Sequence, residues 1–263
     1  DPGRVAELVA ERRAGTGAPR LAAILATDLY GHPADADALR AIAHGAGAAY
    51  IEDAAESLGA AYRGRAAGSV GDLAVLSFNG NKVITAGGGG AVATDDADAA
   101  QRVRHLSAQA RSHPVEYHHD QVGFNYRLPS LNAALALAQL ERLDELVEAR
   151  RSHRAAYAER LPELEIMGAE PWAESSHWLT CALLPEPRSR DEIRGVVDRC
   201  GAAGVEVRPF FAPVHELAPY ADAPRGPLPA TEDLYARGLN LPSSADLRSE
   251  DIDRVCETLR AAL

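Results

Sequence analysis

Hydrophobic and polar positions alternate along the first half of the chain in blocks of strand and helix length. Apolar runs of strand length cover 21–27 (LAAILAT), 48–52 (AAYIE) and 72–78 (DLAVLSF). Between the first two runs, the pattern over 36–45 predicts a helix with Asp35 as its N-cap. Strand, helix and strand in this order predict a right-handed βαβ unit, and we expect the 21–27 run to be buried on both faces of a parallel sheet.

The rest of the chain contains further predicted helices and strands. Further helices are predicted over 5–13, 96–107, 130–161, 190–200 and 249–263. Short strands are predicted over 90–94, 177–184 and 204–208, and irregular chain over 109–128 and the proline-dense 209–229. The pattern indicates a large α/β domain over 1–150 and a small α+β domain over 151–263, connected by the long 130–161 helix.

Composition narrows the class of protein. A chain of 263 residues with 46% hydrophobic content can bury a substantial core. Its 27 basic and 38 acidic residues give a net charge of −11, which argues against nucleic acid or an anionic membrane surface as the main partner. We find neither an apolar run long enough for a membrane span nor a secretion leader. Three scattered cysteines without a CxxC pair indicate a reduced, cytoplasmic protein.

The candidate chemistry lies just after the apolar runs. Asp53 ends the second run, and Ser77 ends the third, which continues through Phe78-Asn79-Gly80-Asn81 to Lys82. Ligands of open α/β sheets bind at the carboxyl ends of the strands, so we expect these three side chains to meet there. An amine, a carboxylate and a hydroxyl can serve the aldehyde, the ring nitrogen and the phosphate of pyridoxal phosphate. The spacing therefore makes Lys82 a candidate Schiff-base lysine.

Each of these features also has a simpler explanation. A single lysine is more often an exposed surface residue, and Asp53 could cap a helix that begins at Ala54. The glycine run 87–90 could be a flexible loop, because it fits neither a phosphate-binding loop nor a dinucleotide fingerprint. The histidines of the 109–128 segment lack the spacing of metal ligands, so we predict no metal site. From the residues alone, the cofactor hypothesis is one of several.

Taken together, the spaced motifs closely resemble the DegT/StrS-type sugar aminotransferases. They are 52–60 (EDAAESLGA), 68–72 (GSVGD), 77–82 (SFNGNK), 85–90 (TAGGGG), 123–128 (GFNYRL) and the pair 139–140, in the family's order. The resemblance implies a pyridoxal-phosphate-dependent transferase of fold type I, active as a homodimer with shared active sites. It also implies transfer of an amino group from an amino acid, with glutamate as the expected donor, to a keto carbon of a nucleotide-linked sugar.

The resemblance also implies roles for single residues. Lys82 corresponds to the Schiff-base lysine that later moves a proton, Asp53 to the partner of the pyridine nitrogen, and Ser77 to a phosphate ligand. Glu56 stands where the family often has glutamine against the phenolic oxygen of the ring. Asn125 corresponds to a residue that reaches the cofactor phosphate of the neighbouring subunit. The residues expected to bind the substrate are His215, Arg127 and Gly88. SFNGNK, the glycine run and the 109–117 segment are similar to aminotransferases of UDP-4-keto-6-deoxy-N-acetylhexosamines, which predicts that substrate.

The chain also departs from the family's pattern. Members usually carry a preceding segment with a Gly-Thr-Ser-like phosphate loop and an aromatic residue that stacks on the cofactor. We therefore expect an N-terminally incomplete large domain with exposed apolar faces and a lower cofactor affinity. Asp28 stands where the family commonly has histidine, next to the substrate. One alternative is a non-catalytic relative that binds the cofactor weakly; another, a sugar dehydratase of the same fold, is disfavoured because those relatives have histidine in place of Lys82.

Overall fold

Eight α-helices and eleven β-strands make up the part of the chain that the computed structural model describes, residues 1–14 and 20–263. The helices are α1 (Pro2–Ala14), α2 (Ala36–Gly45), α3 (Ala97–Ser107), α4 (Ser130–Leu140), α5 (Leu143–Arg160), α6 (Arg190–Ala202), α7 (Pro229–Arg237) and α8 (Ser249–Ala262). The strands are β1 (Ala23–Thr27), β2 (Ala49–Asp53), β3 (Ala61–Tyr62), β4 (Arg65–Ala66), β5 (Leu73–Ser77), β6 (Gly90–Ala93), β7 (Glu165–Ile166), β8 (Ala173–Glu174), β9 (Thr180–Leu183), β10 (Arg208–Pro209) and β11 (Gly238–Leu241). None of the described helices is long and apolar enough to cross a membrane.

The first sheet positions the candidate site. Its strand order is β1-β2-β5-β6, with β1, β2 and β5 parallel and β6 antiparallel to β5. The βαβ unit of β1, α2 and β2 and the α/β fold class are therefore confirmed. The prediction that β1 is buried on both faces is wrong, because β1 lies at the edge of the described sheet and Leu25 is 59% exposed.

Helix α2 covers one face of this sheet. Ala36, Leu39 and Ala43 follow one another at spacings of three and four, so they lie on one side of the helix and pack on Tyr50. Asp35 occupies the N-cap position but makes no capping hydrogen bond with its side chain. Its carboxylate instead accepts a 2.7 Å hydrogen bond from the hydroxyl of Tyr62, so it holds the helix to the β3–β4 hairpin.

The C-terminal half builds its own core on an antiparallel sheet. The strand order is β10-β11-β9-β7, and helices α5, α6 and α8 pack around it. Fully buried side chains from these elements include Tyr157, Val196, Leu239 and Leu259. The strand predicted over 204–208 pairs only at its end, in β10, and both α7 and β11 were missing from the prediction, since the prolines before them obscure the pattern.

The predicted 130–161 helix is wrong in one respect, because α4 and α5 are separate helices. The amide of Arg142 donates to the carbonyl of Gln139, a tight i→i−3 turn that ends α4. Asp144 and Glu145 then supply the negative charge that favours a new helix N-terminus. The predicted domain boundary near residue 150 falls inside α5, and the division of the chain into two domains stays a prediction.

Candidate active site

Lys82 lies in the turn after β5, and its amine is enclosed by two side chains. Its Nζ is 3.3 Å from Oε1 of Glu56 and 3.9 Å from the centroid of the Trp178 ring. The side chains of Lys82 and Glu56 are only 13% and 11% exposed. Lys82 is therefore not an exposed surface lysine, and it lies where a carboxylate and an aromatic face both stabilise a positive charge.

Glu56 is itself held in place by backbone geometry. Its Oε2 accepts a 2.8 Å hydrogen bond from the amide of Tyr30. Tyr30 has φ = 58°, the left-handed region that non-glycine residues adopt at a cost of about 1–2 kcal/mol. Its hydroxyl accepts a hydrogen bond from the amide of Phe211, and burial raises the pKa of Tyr30 to about 12. A strained residue thus connects the carboxylate beside Lys82 to the segment that follows β10.

Asp53 and Ser77 end the neighbouring strands β2 and β5 at the same edge of the sheet. Oδ2 of Asp53 accepts a hydrogen bond from Thr27 at 3.2 Å, and Oδ1 accepts one from the amide of Ala55. Residues 54–60, directly after Asp53, form no helix, so Asp53 is not a helix cap. Oγ of Ser77 accepts only a long contact from the amide of Asn79, at 3.4 Å. The carboxyl ends of the strands therefore present a carboxylate and a hydroxyl, as the sequence predicts.

A buried carboxylate next to Asp53 has a structural role. Glu52 is 2% exposed and accepts three backbone hydrogen bonds, from the amides of Gly68 (2.6 Å), Val70 (2.8 Å) and Gly71 (3.0 Å). Three such bonds satisfy a buried carboxylate, whose exposure to the apolar interior would otherwise be costly. The 68–72 motif is thus folded around Glu52.

Asp28 faces the protein interior. It is 2% exposed, and its carboxylate accepts hydrogen bonds from the hydroxyl of Ser57 at 2.7 Å and from the amide of Ala34 at 2.9 Å. Burial raises the pKa of Asp28 to about 6. The side chain therefore ties the end of β1 to the chain after β2, and its contacts are with protein groups.

The remaining predicted residues belong to other segments of the chain. Asn125 and Arg127 line a cavity of about 460 Å³, together with Arg111 and His113 of the irregular segment. His215 lies in a 3₁₀ turn (Val214–Glu216), and Gly88 has open space where a side chain would be. In the described part of the chain, no hydrogen bond or ion pair joins these four predicted residues to Lys82 or Glu56. Their roles stay predictions.

Two further findings bear on the sequence predictions. The described residues contain no group of three or more side chains that could hold a metal ion. Cys181, Cys200 and Cys256 are buried and unbonded to one another. Burial raises the pKa of Cys256 to about 11, so its thiol is held in the unreactive protonated form at neutral pH.

Residues 1–260 match a single family of proteins, DegT/DnrJ/EryC1/StrS aminotransferases, over nearly the whole chain. The chain belongs to this family. The resemblance drawn from the spaced motifs is confirmed, and so is the predicted fold class.

Individual members of the DegT/DnrJ/EryC1/StrS family are similar to this chain in sequence and in structure. GDP-perosamine synthase of Caulobacter vibrioides is 39% identical over 251 residues, which cover 93% of this chain and 67% of the relative. DesI, solved in the presence of its TDP-sugar product, is 35% identical with a TM-score of 0.84 over 99% of this chain and 65% of its own. A family aminotransferase from Brucella abortus is 27% identical with a TM-score of 0.87, over 99% of this chain and 69% of its own. The chain spans about two thirds of the length of the curated relatives that it matches.

Pyridoxal phosphate is the cofactor of this family, and the donor set of the site fits it. Lys82 offers the primary amine that an aldehyde needs, and Asp53 offers a carboxylate for the ring nitrogen. Ser77 keeps its hydroxyl free to donate, because the hydroxyl only accepts a long contact from Asn79. Glu56 is turned toward the lysine amine, from which it accepts a 3.3 Å hydrogen bond.

Sequence reasoning missed Trp178 and Tyr30 as neighbours of Lys82, since both come from segments distant along the chain. One signal was available for Lys82 itself. Of the 27 basic residues, 26 are arginine and Lys82 is the only lysine. Arginine remains charged and cannot form an imine at neutral pH, so a single lysine among arginines indicates a position that needs an amine.

Proposed function

We propose that this chain is a pyridoxal-phosphate-dependent aminotransferase that transfers the amino group of an amino acid to the keto carbon of a nucleotide-linked sugar. The observation that carries the proposal is the enclosure of the only lysine between Glu56 and Trp178, where Glu56 follows the end of β2 at Asp53 by three residues. Membership of the family supports the reaction class. Such a reaction belongs to the synthesis of amino sugars for cell-surface glycans.

The proposed chemistry divides the work among four side chains. When bound, pyridoxal phosphate supplies an aldehyde for amines and a ring that draws electrons from the reacting carbon. Nζ of Lys82 would hold the aldehyde carbon, with loss of water, and, once the amine of the donor displaces it, would hold and move the proton of the reacting carbon. Asp53 keeps the ring nitrogen protonated by placing a negative charge against it. Ser77 donates a hydrogen bond to the phosphate, and Glu56 orients the amine of Lys82.

Covalent capture of the cofactor tests this proposal directly. The chain is incubated with pyridoxal phosphate, reduced with borohydride and digested, and the modified peptide is identified by mass. Lys82 is the only lysine of the sequence, so peptide mapping separates modification at its side chain from modification of an α-amino group. We expect modification at Lys82 and none of that peptide in Lys82→Arg, which keeps the positive charge as a matched control. The absence of modification at Lys82 would refute the proposal and favour a non-catalytic relative.

The sugar substrate is a finer part of the proposal. We infer a UDP-4-keto-6-deoxy-N-acetylhexosamine from the SFNGNK turn, the glycine run and the 109–117 segment. The similar proteins named above act with GDP-linked and TDP-linked sugars, so the nucleotide has to be tested. Glutamate is offered with UDP-, GDP- and dTDP-linked keto-sugars, and the aminated product is measured by mass spectrometry. Turnover of the GDP- or dTDP-sugar alone would refute this substrate assignment while leaving the reaction class intact.

A homodimer in the cytoplasm completes the proposal. The irregular segment and α4 carry large apolar side chains that are 76–86% exposed: Tyr117, Val122, Tyr126 and Leu131. Such a group of exposed apolar residues on one segment is typical of an interaction surface. Asn125 belongs to the same segment, and the family's pattern would place it at the partner's cofactor phosphate. Light scattering at several protein concentrations tests the oligomeric state, and a mass that stays that of the monomer would refute the homodimer.

A further inference from the structure

Trp178 contacts the side chain of Lys82 and the backbone of the residue before it. The Trp178 ring centroid lies 3.9 Å from Nζ, well inside the distance of about 6 Å at which an indole face attracts a cation. The indole Nε1 also donates a 2.6 Å hydrogen bond to the carbonyl of Asn81, the residue just before Lys82. One side chain therefore constrains the start of the lysine backbone and the end of its side chain.

Trp178 is itself fixed by its surroundings. It is 4% exposed and packs with Tyr30, Val83 and Phe210. The residue before it, His177, has φ = 46°, a left-handed conformation that sets the direction in which the chain enters β9. Non-glycine residues in this region cluster at binding sites, where the surrounding structure holds them. The indole ring therefore has a fixed position, whereas the side chain of Lys82 is flexible.

This arrangement has a consequence for a lysine that must be bound covalently and released. A free lysine side chain samples many rotamers, and ordering it costs up to about 2 kcal/mol. Glu56 contacts the amine at 3.3 Å while the indole face lies at 3.9 Å, so the released ammonium has two partners that hold it. Both side chains are nearly buried, which strengthens a cation–π contact relative to one in water.

We propose that Trp178 is a positioning residue that, together with Glu56, holds the amine of Lys82 in place whenever it is not bonded to the cofactor. The inference rests on the proposed function, because it assigns Trp178 a role in returning the same amine to the reacting carbon. The contacts of Trp178 with this region are with Lys82 and Asn81, so it acts through the position of Lys82.

A nuclear magnetic resonance experiment tests the position of the amine without cofactor. Lysine labelled with ¹³C at Cε is incorporated, and the single lysine gives one Hε–Cε signal set. An indole face shields nuclei above it, so we expect the Hε signals upfield of those of an unstructured lysine. Trp178→Leu should return them to the unstructured position, and Trp178→Phe, which keeps a smaller ring, should leave part of the shift. Trp172→Leu, the same change at the other tryptophan, should leave the signals in place.

Two outcomes would overturn the proposal. One is a signal at the unstructured position in the unsubstituted chain, and the other is an unchanged upfield signal in a folded Trp178→Leu variant. If Trp178→Leu does not fold, a nuclear Overhauser effect between the indole protons and Hε in the unsubstituted chain decides, since its absence refutes the contact. Borohydride capture of pyridoxal phosphate is measured in parallel. Loss of capture with a normal upfield shift would refute the proposed function and leave the contact standing, so the two failures can be distinguished.

Discussion

The buried carboxyl of Asp28 should make the protein less stable as the pH rises, which is opposite to the effect of most acidic residues. Its pKa rises from 3.8 to about 6 because burial disfavours the charged form. A rise of about two units corresponds to roughly 3 kcal/mol, at 1.36 kcal/mol for each unit. The folded state binds the proton more tightly than the unfolded state, so this stabilisation is complete below about pH 4 and is lost as the pH rises through about 6.

The substitution Asp28→Asn isolates this contribution, because the amide resembles the protonated carboxyl in shape and does not titrate. Urea unfolding at several pH values between 4 and 7 gives the free energy of unfolding of both proteins. Between these limits we expect the unsubstituted chain to lose roughly 3 kcal/mol relative to Asp28→Asn. Asp198→Asn changes an exposed aspartate of α6 in the same way and should show no such difference.

The difference between the two proteins decides the test, since other carboxylates titrate equally in both. The neighbouring Ser57 and Ala34 donors lower the pKa of Asp28, but burial is the larger effect. Curves for the unsubstituted chain and Asp28→Asn that run parallel from pH 4 to 7 would refute the reasoning. A difference of the opposite sign would show that the two hydrogen bonds outweigh burial.

Two further predictions concern stability. Gly31→Ala should cost more than the about 1–2 kcal/mol of a left-handed alanine, because φ is +96° and the new Cβ would lie 2.8 Å from the amide nitrogen of Trp178 and against Ser176. The control Gly64→Ala, at φ = +76° in open space, should cost only about 1–2 kcal/mol, so equal losses of stability in thermal melts would contradict the packing argument. Ser189→Ala removes the capping box of α6 and should cost about 1 kcal/mol in urea unfolding, so an unchanged midpoint would count against the cap.

Local pattern was sufficient for the elements that determine the site. The bounds of α2 are as predicted, because its apolar positions repeat at helical spacing and Asp35 precedes them. Asp53 and Ser77 end adjacent parallel strands, as expected from two apolar runs that each close on a polar residue. The carboxyl ends of parallel strands lie at one edge of a sheet, so sequence order alone places these two groups near each other.

Features that depend on contacts between distant segments could not be predicted from the sequence. Trp178 reaches Lys82 from 96 residues along the chain, and nothing in the local pattern around either residue indicates the other. The end of α4 has neither proline nor glycine, so the tight turn at Arg142 could not be read from breaker residues. The position of Leu25 depends on which strands flank β1, which hydrophobicity does not encode.

The dense 52–57 motif can be understood from the geometry of a strand that ends at a ligand site. Successive side chains of a strand point to opposite faces, so Glu52 enters the interior to bind the 68–71 amides while Asp53 remains at the sheet edge. Beyond the strand, Glu56 faces Lys82 and Ser57 turns inward to Asp28. Residues with structural roles and residues with chemical roles therefore lie within the same six positions. Substitutions at Glu52 and Ser57 should lower stability, whereas those at Asp53 and Glu56 should weaken cofactor capture in a chain that still folds.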